Sequence, residues 1–253
     1  DGAPFPSCND SPASLSGWHR AGAPVRTSPV APPARPSYLW GPQPEPAPMD
    51  AAAPTLNPQP SGVAIKTEIV VIGAGQAGLS SAYHLTQRGL AAGGGFIVLD
   101  QSPRAGGAWQ FRWPSLTLST VNRVHDLPGM AFSEAVDTSR TEVEAAQAVP
   151  QYFAAYEERF GLNVFRPVKV AVVCRRGERF RIETDRGQFS ARGIINATGT
   201  WETPYIPDYP GRDRFRGRQL HTRDYRTASE FAGQHVVIVG GGISAIQLLN
   251  EIS

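Results

Sequence analysis

Gly73, Gly75 and Gly78 are spaced as Gly-x-Gly-x-x-Gly directly after the β-branched run Ile69-Val-Val-Ile72. That spacing suits one task, holding the pyrophosphate of a dinucleotide. The first glycine permits a tight strand-to-helix turn, the second lets the ligand approach the backbone, and the third lets helix and strand pack closely. Gln76 and Ala77 open the helix, whose free N–H groups and partial positive charge face the phosphates. Asp100 ends the next apolar run, Phe96-Ile-Val-Leu99, where a carboxylate can accept hydrogen bonds from both hydroxyls of an adenosine ribose. Gln101 follows it.

A second fingerprint, Gly240-Gly-Gly242-Ile-Ser244-Ala245, comes after Val236-Val-Ile-Val239. Alanine at its last position still permits close helix packing. Two fingerprints in one chain suggest an enzyme that brings a flavin and a nicotinamide together. Past Asp100, the pair Gly106-Gly107 suits a chain passing beside a flavin without side-chain clash. Trp109 either covers that flavin or packs in the core. The residue that separates NADPH from NADH would follow the next strand, which lies beyond the second fingerprint.

The elements that position these residues read as a βαβ unit: a strand over Ile69–Ile72, a helix from about Gln76 to Arg88 ended by Gly89, and a strand over Phe96–Leu99. Residues 106–133, rich in Trp, Pro and Gly, read as ordered loop and short strand over a site. Val149, Phe153, Tyr156 and Phe160 predict a helix over residues 141–160, with a break or a new first turn at Pro150. Val168–Val173, Arg179–Thr184 and Gln188–Ala191 predict strands, the last two joined by a turn at Asp185-Arg-Gly187, and Val236–Val239 predicts another.

Composition narrows the function. A net charge of +2 over 253 residues implies no nucleic-acid partner. Cys8 and Cys174 form no Cys-x-x-Cys, which argues against a disulfide framework and against disulfide-reductase chemistry. Scattered histidines without carboxylate or cysteine companions predict no metal site. No apolar segment is long enough to span a membrane, so a cytoplasmic protein is expected. Residues 1–60 hold 15 of the 23 prolines and are expected to form a disordered tail, with the native start at Met49.

Phe215-x-Gly217-x-x-x-His221-x-x-x-Tyr225 resembles the fingerprint of flavin-containing monooxygenases and their Baeyer–Villiger relatives, with Tyr225 matching the N-oxidising branch. Ala197-Thr198-Gly199 followed by Pro204 resembles that family's crossover between its two nucleotide domains. The resemblance implies an α/β fold of glutathione-reductase-like, two-dinucleotide architecture, with FAD and NADPH (or NADH) as cofactors and a small organic molecule and dioxygen as substrates. It adds Val170, Thr198 and Gly199 to the FAD-binding residues. His221 is either an acid or base near the flavin or a hydrogen-bonding residue in the hinge. Residues 61–230 are then expected to be a Rossmann-like FAD-binding domain without its C-terminal return segment, and residues 231–253 the first βα unit of a truncated NAD(P)H domain. The rival readings are a flavoprotein reductase serving a protein or quinone acceptor, and an inactive FAD-binding fragment.

Overall fold

The computed structural model describes residues 64–253, so the expectations for the proline-rich tail, Met49 and Cys8 lie outside the described residues. The elements are β1 (Ile65–Ile72), α1 (Gln76–Gln87), β2 (Phe96–Leu99), α2 (Ala145–Arg159), β3 (Val164–Phe165), β4 (Val170–Arg176), β5 (Arg179–Thr184), β6 (Gly187–Asn196) and α3 (Ile243–Ile252), with short 3-10 turns between them. The strands form one sheet in the order β3-β2-β1-β6-β5-β4. Its first four strands run parallel, and β5 and β4 continue it as an antiparallel arm.

Alternation along β1 explains why its sequence is continuously apolar. Val71 faces Leu79 of α1 and Val149, Phe153 and Tyr156 of α2 in one core, while Val70 and Ile72 join Ile97, Leu99, Ile182 and Phe189 in a second. Both faces of the parallel strands are covered, so no position favours a polar residue. The α1 helix ends as its sequence predicts, with Gly89 at φ +83°.

Three expectations need correction. The helix of α2 passes through Pro150 without a break. The proline ring is buried against Gly106, where an added Cβ would lie 2.6 Å from its Cγ, so packing compensates for the missing N–H. Between residues 106 and 133 there are 3-10 turns and isolated bridges and no strand. Cys174 is buried in β4.

The third correction concerns the second fingerprint, whose strand does not form: Val236–Val239 has no ladder partner among the described residues, and Val237 is 84% exposed. A strand borrows its hydrogen bonds from neighbours, whereas a helix supplies its own. Among the described residues no strand runs beside Val236–Val239, yet α3 forms all the same.

Candidate dinucleotide site

The candidate site is built where β1, β2 and β6 end side by side, the crevice in which parallel α/β sheets bind ligands. Ile72 lies opposite both Leu99 and Asn196, and the Ala197 N–H donates to the Ile72 carbonyl at 2.9 Å. Gly73 leaves β1 at φ +101°, and a Cβ there would sit 2.4 Å from the Ala197 carbonyl oxygen. A Cβ on Gly78 would sit 1.8 Å from the Gly73 oxygen. Both glycines are therefore required by the fold itself.

Gly75 is different: a Cβ there would meet nothing within 4 Å. Its φ of −79° is open to any residue. Packing among the described residues gives no reason for glycine at this position, whereas a ligand approaching that backbone would. The helix behind it is unfinished in the same direction. Its first backbone bond runs from the Leu79 N–H to the Gly75 carbonyl at 2.9 Å. The N–H groups of Gln76, Ala77 and Gly78 have no acceptor among the described residues, and no side chain caps the end.

Asp100 closes the site beyond β2. It is 5% exposed, and its Oδ1 accepts the Ser102 N–H at 3.2 Å. Its Oδ2 lies 3.5 Å from the Arg166 guanidinium and accepts no hydrogen bond. Burial pushes this carboxyl above its ordinary value, outweighing the Ser102 amide and the Arg166 charge, which pull it down. Arg166 is itself fixed by a two-pronged bond to Glu157 at 2.6 and 2.8 Å. Four features therefore meet at the ends of β1 and β2: an open backbone, three donors without an acceptor among the described residues, a helix N-terminus and a buried carboxylate with unused acceptor capacity. They fit a dinucleotide in which a pyrophosphate and a ribose must be held together.

The other expected residues distribute as follows. Gly107 passes against the first fingerprint, where its Cβ would lie 2.9 Å from Gly75 Cα. Trp109 is half-buried and packs on two cores. Gln101 is exposed beside Asp100. The Thr198 hydroxyl donates to Asn196 at 2.9 Å and Gly199 turns at φ +63°, just past the Gly73 contact. Val170 opens β4 two residues after Val168, whose N–H donates to the Asp100 carbonyl at 2.8 Å. The structure thus gathers the first-fingerprint residues at one end of the sheet.

At the second fingerprint, Gly240 turns at φ +128° and Gly242 caps α3. The Ala245 N–H bonds back to the Gly242 carbonyl at 3.0 Å, while Ser244 lies in the first turn. A Cβ on Gly240, Gly241 or Gly242 would meet nothing within 4 Å, so this turn lacks the packing that encloses the first. His221 caps the turn over residues 222–224, its Nδ1 accepting the Arg223 N–H at 3.2 Å. Its described hydrogen bonding is local, with no link to the fingerprint glycines.

Three participants were not legible in sequence. Glu251 on α3 accepts hydrogen bonds from Trp113 at 2.8 Å, from Tyr225 at 2.7 Å and from Ser115. The Arg166–Glu157 pair supports Asp100 from a neighbouring strand and helix. A surface cavity of about 530 Å³ lies between Asp208 and Gln219 and is lined by none of the expected residues. Among the described residues no cluster of His, Cys, Asp or Glu could hold a metal ion, and no helix is long and apolar enough to cross a membrane.

Comparison with known proteins agrees with this geometry. The flavin-containing monooxygenase of Stenotrophomonas maltophilia is 40% identical, with a TM-score of 0.65 over 74% of this chain and 55% of that one. The uncharacterized oxidoreductase CzcO of Bacillus subtilis is 31% identical over 74% of this chain and 52% of its own length. Indole-3-pyruvate monooxygenase YUCCA1 of Oryza sativa subsp. japonica is 32% identical over 71% of this chain and 43% of its own. The chain thus spans about half the length of the curated relatives it matches. Residues 70–252 match the family described as pyridine nucleotide-disulphide oxidoreductase, and the chain, with its parallel sheet and glycine-lined strand ends, belongs to that family.

Proposed function

We propose that this chain forms the FAD-binding part of an FAD- and NAD(P)H-dependent monooxygenase that acts on a small organic molecule with dioxygen in the cytoplasm. The observation that carries the nucleotide assignment is the open Gly75 backbone at the end of β1, with the buried Asp100 carboxylate at the end of the adjacent strand β2. The likeness to the Stenotrophomonas enzyme supports the oxygenase reading. Bound FAD supplies the electron transfer and oxygen activation that side chains cannot.

The chain's own residues bind and orient. Gln76, Ala77 and Gly78 offer N–H groups to the pyrophosphate, Asp100 accepts the ribose hydroxyls, and Gly107 leaves room for the cofactor to pass. Val170, Thr198 and Gly199 border the same crevice. Gly240, Gly242, Ser244 and Ala245 are assigned to the nicotinamide nucleotide. His221, as a turn cap, is a hinge residue in this proposal and not the acid or base.

Reconstitution with FAD and NADPH under isotopically labelled dioxygen tests the reaction. Label recovered in an organic product supports oxygenation. Nicotinamide consumption with label only in water or peroxide favours the reductase alternative.

A further inference from the structure

Arg112 is a half-buried cation with no anion among the described residues. Its guanidinium carbon lies 4.9 Å from the ring centre of Trp201 and 5.5 Å from that of Trp109. Burial lowers its pKa from the ordinary arginine value. Its Nε is buried without a hydrogen-bond partner, and the described hydrogen bonds and ion pairs include none from its guanidinium to an acceptor. The Arg166 Nε is likewise buried without a partner, but its terminal nitrogens meet Glu157 at 2.6 and 2.8 Å and Asp100 at 3.5 Å, and Arg112 has no such carboxylate among the described residues. Two indole faces attract a guanidinium but leave its N–H edge unsatisfied.

The frame around Arg112 is fixed from three directions. The Trp109 N–H bonds to the Gly106 carbonyl at 3.1 Å. Phe111 stacks on Trp201 with ring centres 6.3 Å apart and planes 14° from parallel. Arg223 donates to the carbonyl oxygens of Trp201 and Glu202 at 3.1 and 2.8 Å. Both tryptophans also belong to segments leaving the first fingerprint, one through Gly107 beside Gly75 and the other through Gly199 after β6.

We propose that Arg112, held between Trp109 and Trp201, is an anion-recognition residue that takes a carboxylate or phosphate oxygen of a ligand at the mouth of the first fingerprint. The planar fork presents parallel N–H donors that match such a group. The two indoles set its orientation and exclude water from its faces. The anion has two possible sources, the phosphates of a bound nucleotide or the carboxylate of a separate organic acid. The inference goes beyond the flavin assignment and does not require it for the second source.

Calorimetric titration of the full chain with FAD, with riboflavin, which lacks phosphates, and with benzoate tests the proposal in wild-type, Arg112→Met and Arg112→Lys chains. Arg112→Met is expected to weaken one anionic probe by roughly tenfold or more. Loss confined to FAD, with riboflavin unchanged, identifies nucleotide phosphate; loss confined to benzoate identifies a separate acid. Arg112→Lys keeps the charge and loses the fork, so it should weaken the same probe by a smaller factor, and it decides the matter alone if the Met chain does not fold. Equal binding of every probe by wild-type and variant chains overturns the proposal, even if thermal stability falls. Binding of no probe by the wild-type chain overturns it too. Failure of the flavin reading is distinguishable as loss of FAD and riboflavin binding with benzoate binding retained.

Discussion

The Tyr225 hydroxyl donates to the Glu251 carboxylate across 2.7 Å, joining the segment before the second fingerprint to the helix that follows it. The same carboxylate takes the Trp113 indole N–H at 2.8 Å, and the Trp113 and Tyr225 rings meet edge to face with centres 5.6 Å apart. Helix α3 is thereby anchored to the loop beyond Gly107 by a shared acid. Tyr225→Phe keeps the ring contact and removes one donor. It should destabilise the chain by about 1–2 kcal/mol, read as a lower urea midpoint. A cycle with Trp113→Phe should be non-additive, because both donors serve one acceptor.

The three glycines of the first fingerprint should separate by role. Gly78→Ala drives a methyl into the Gly73 carbonyl and should cost more than about 3 kcal/mol or prevent folding. Gly75→Ala meets open space and should change stability by less than about 1 kcal/mol. Its FAD affinity should nevertheless fall by roughly tenfold or more, since the methyl occupies the ligand's approach. Thermal melts and FAD titration of the two variants check this directly. Unchanged FAD binding by a folded Gly75→Ala chain would remove the pyrophosphate from this turn.

Asp100 should make the stability of the ligand-free chain depend on pH in a defined sense. Its folded pKa is raised above 3.8 by burial, so the folded form holds this proton more tightly than the unfolded chain. The resulting stability is present below the unfolded value and is lost as pH rises through the folded one. Asp100→Asn should gain on wild type as pH rises above the ordinary aspartate value, measured as the difference between their urea midpoints. The same variant should bind FAD about tenfold more weakly, because the ribose loses its acceptor.

Tyr152 clamps the turn over residues 127–130 to α2. Its buried hydroxyl donates to the Met130 carbonyl at 2.6 Å and accepts the Leu127 N–H at 2.7 Å. Tyr152→Phe leaves both backbone groups buried and unpaired. A loss of about 2–4 kcal/mol in equilibrium unfolding is expected, with α2 itself retained by circular dichroism.

Much of the first half of the fold was legible because it is governed by local rules. The continuous apolar runs at Ile69–Ile72 and Phe96–Leu99 mark strands covered on both faces, and the glycine spacing marks the turn between strand and helix. Asp100 was legible for the same reason, since its position at a strand end follows from the period of the pattern. Arg166, Glu157 and Glu251 were not legible. Each acts through a partner between 9 and 138 residues away, and no local periodicity encodes such a meeting. Val236–Val239 shows the converse failure, a strand pattern whose state depends on neighbours.

That unpaired run also governs how the molecule behaves in company. Val237 and Val239 are 84% and 69% exposed, and Ile243, Ile246 and Leu249 of α3 are each more than half exposed. A β-branched stretch without ladder partners is a template for strand addition from another chain, and no charge or proline guards its centre. Self-association through this corner is the expected outcome, read as light scattering that rises as the protein is concentrated. A single lysine introduced by Val237→Lys should delay its onset without touching the dinucleotide crevice.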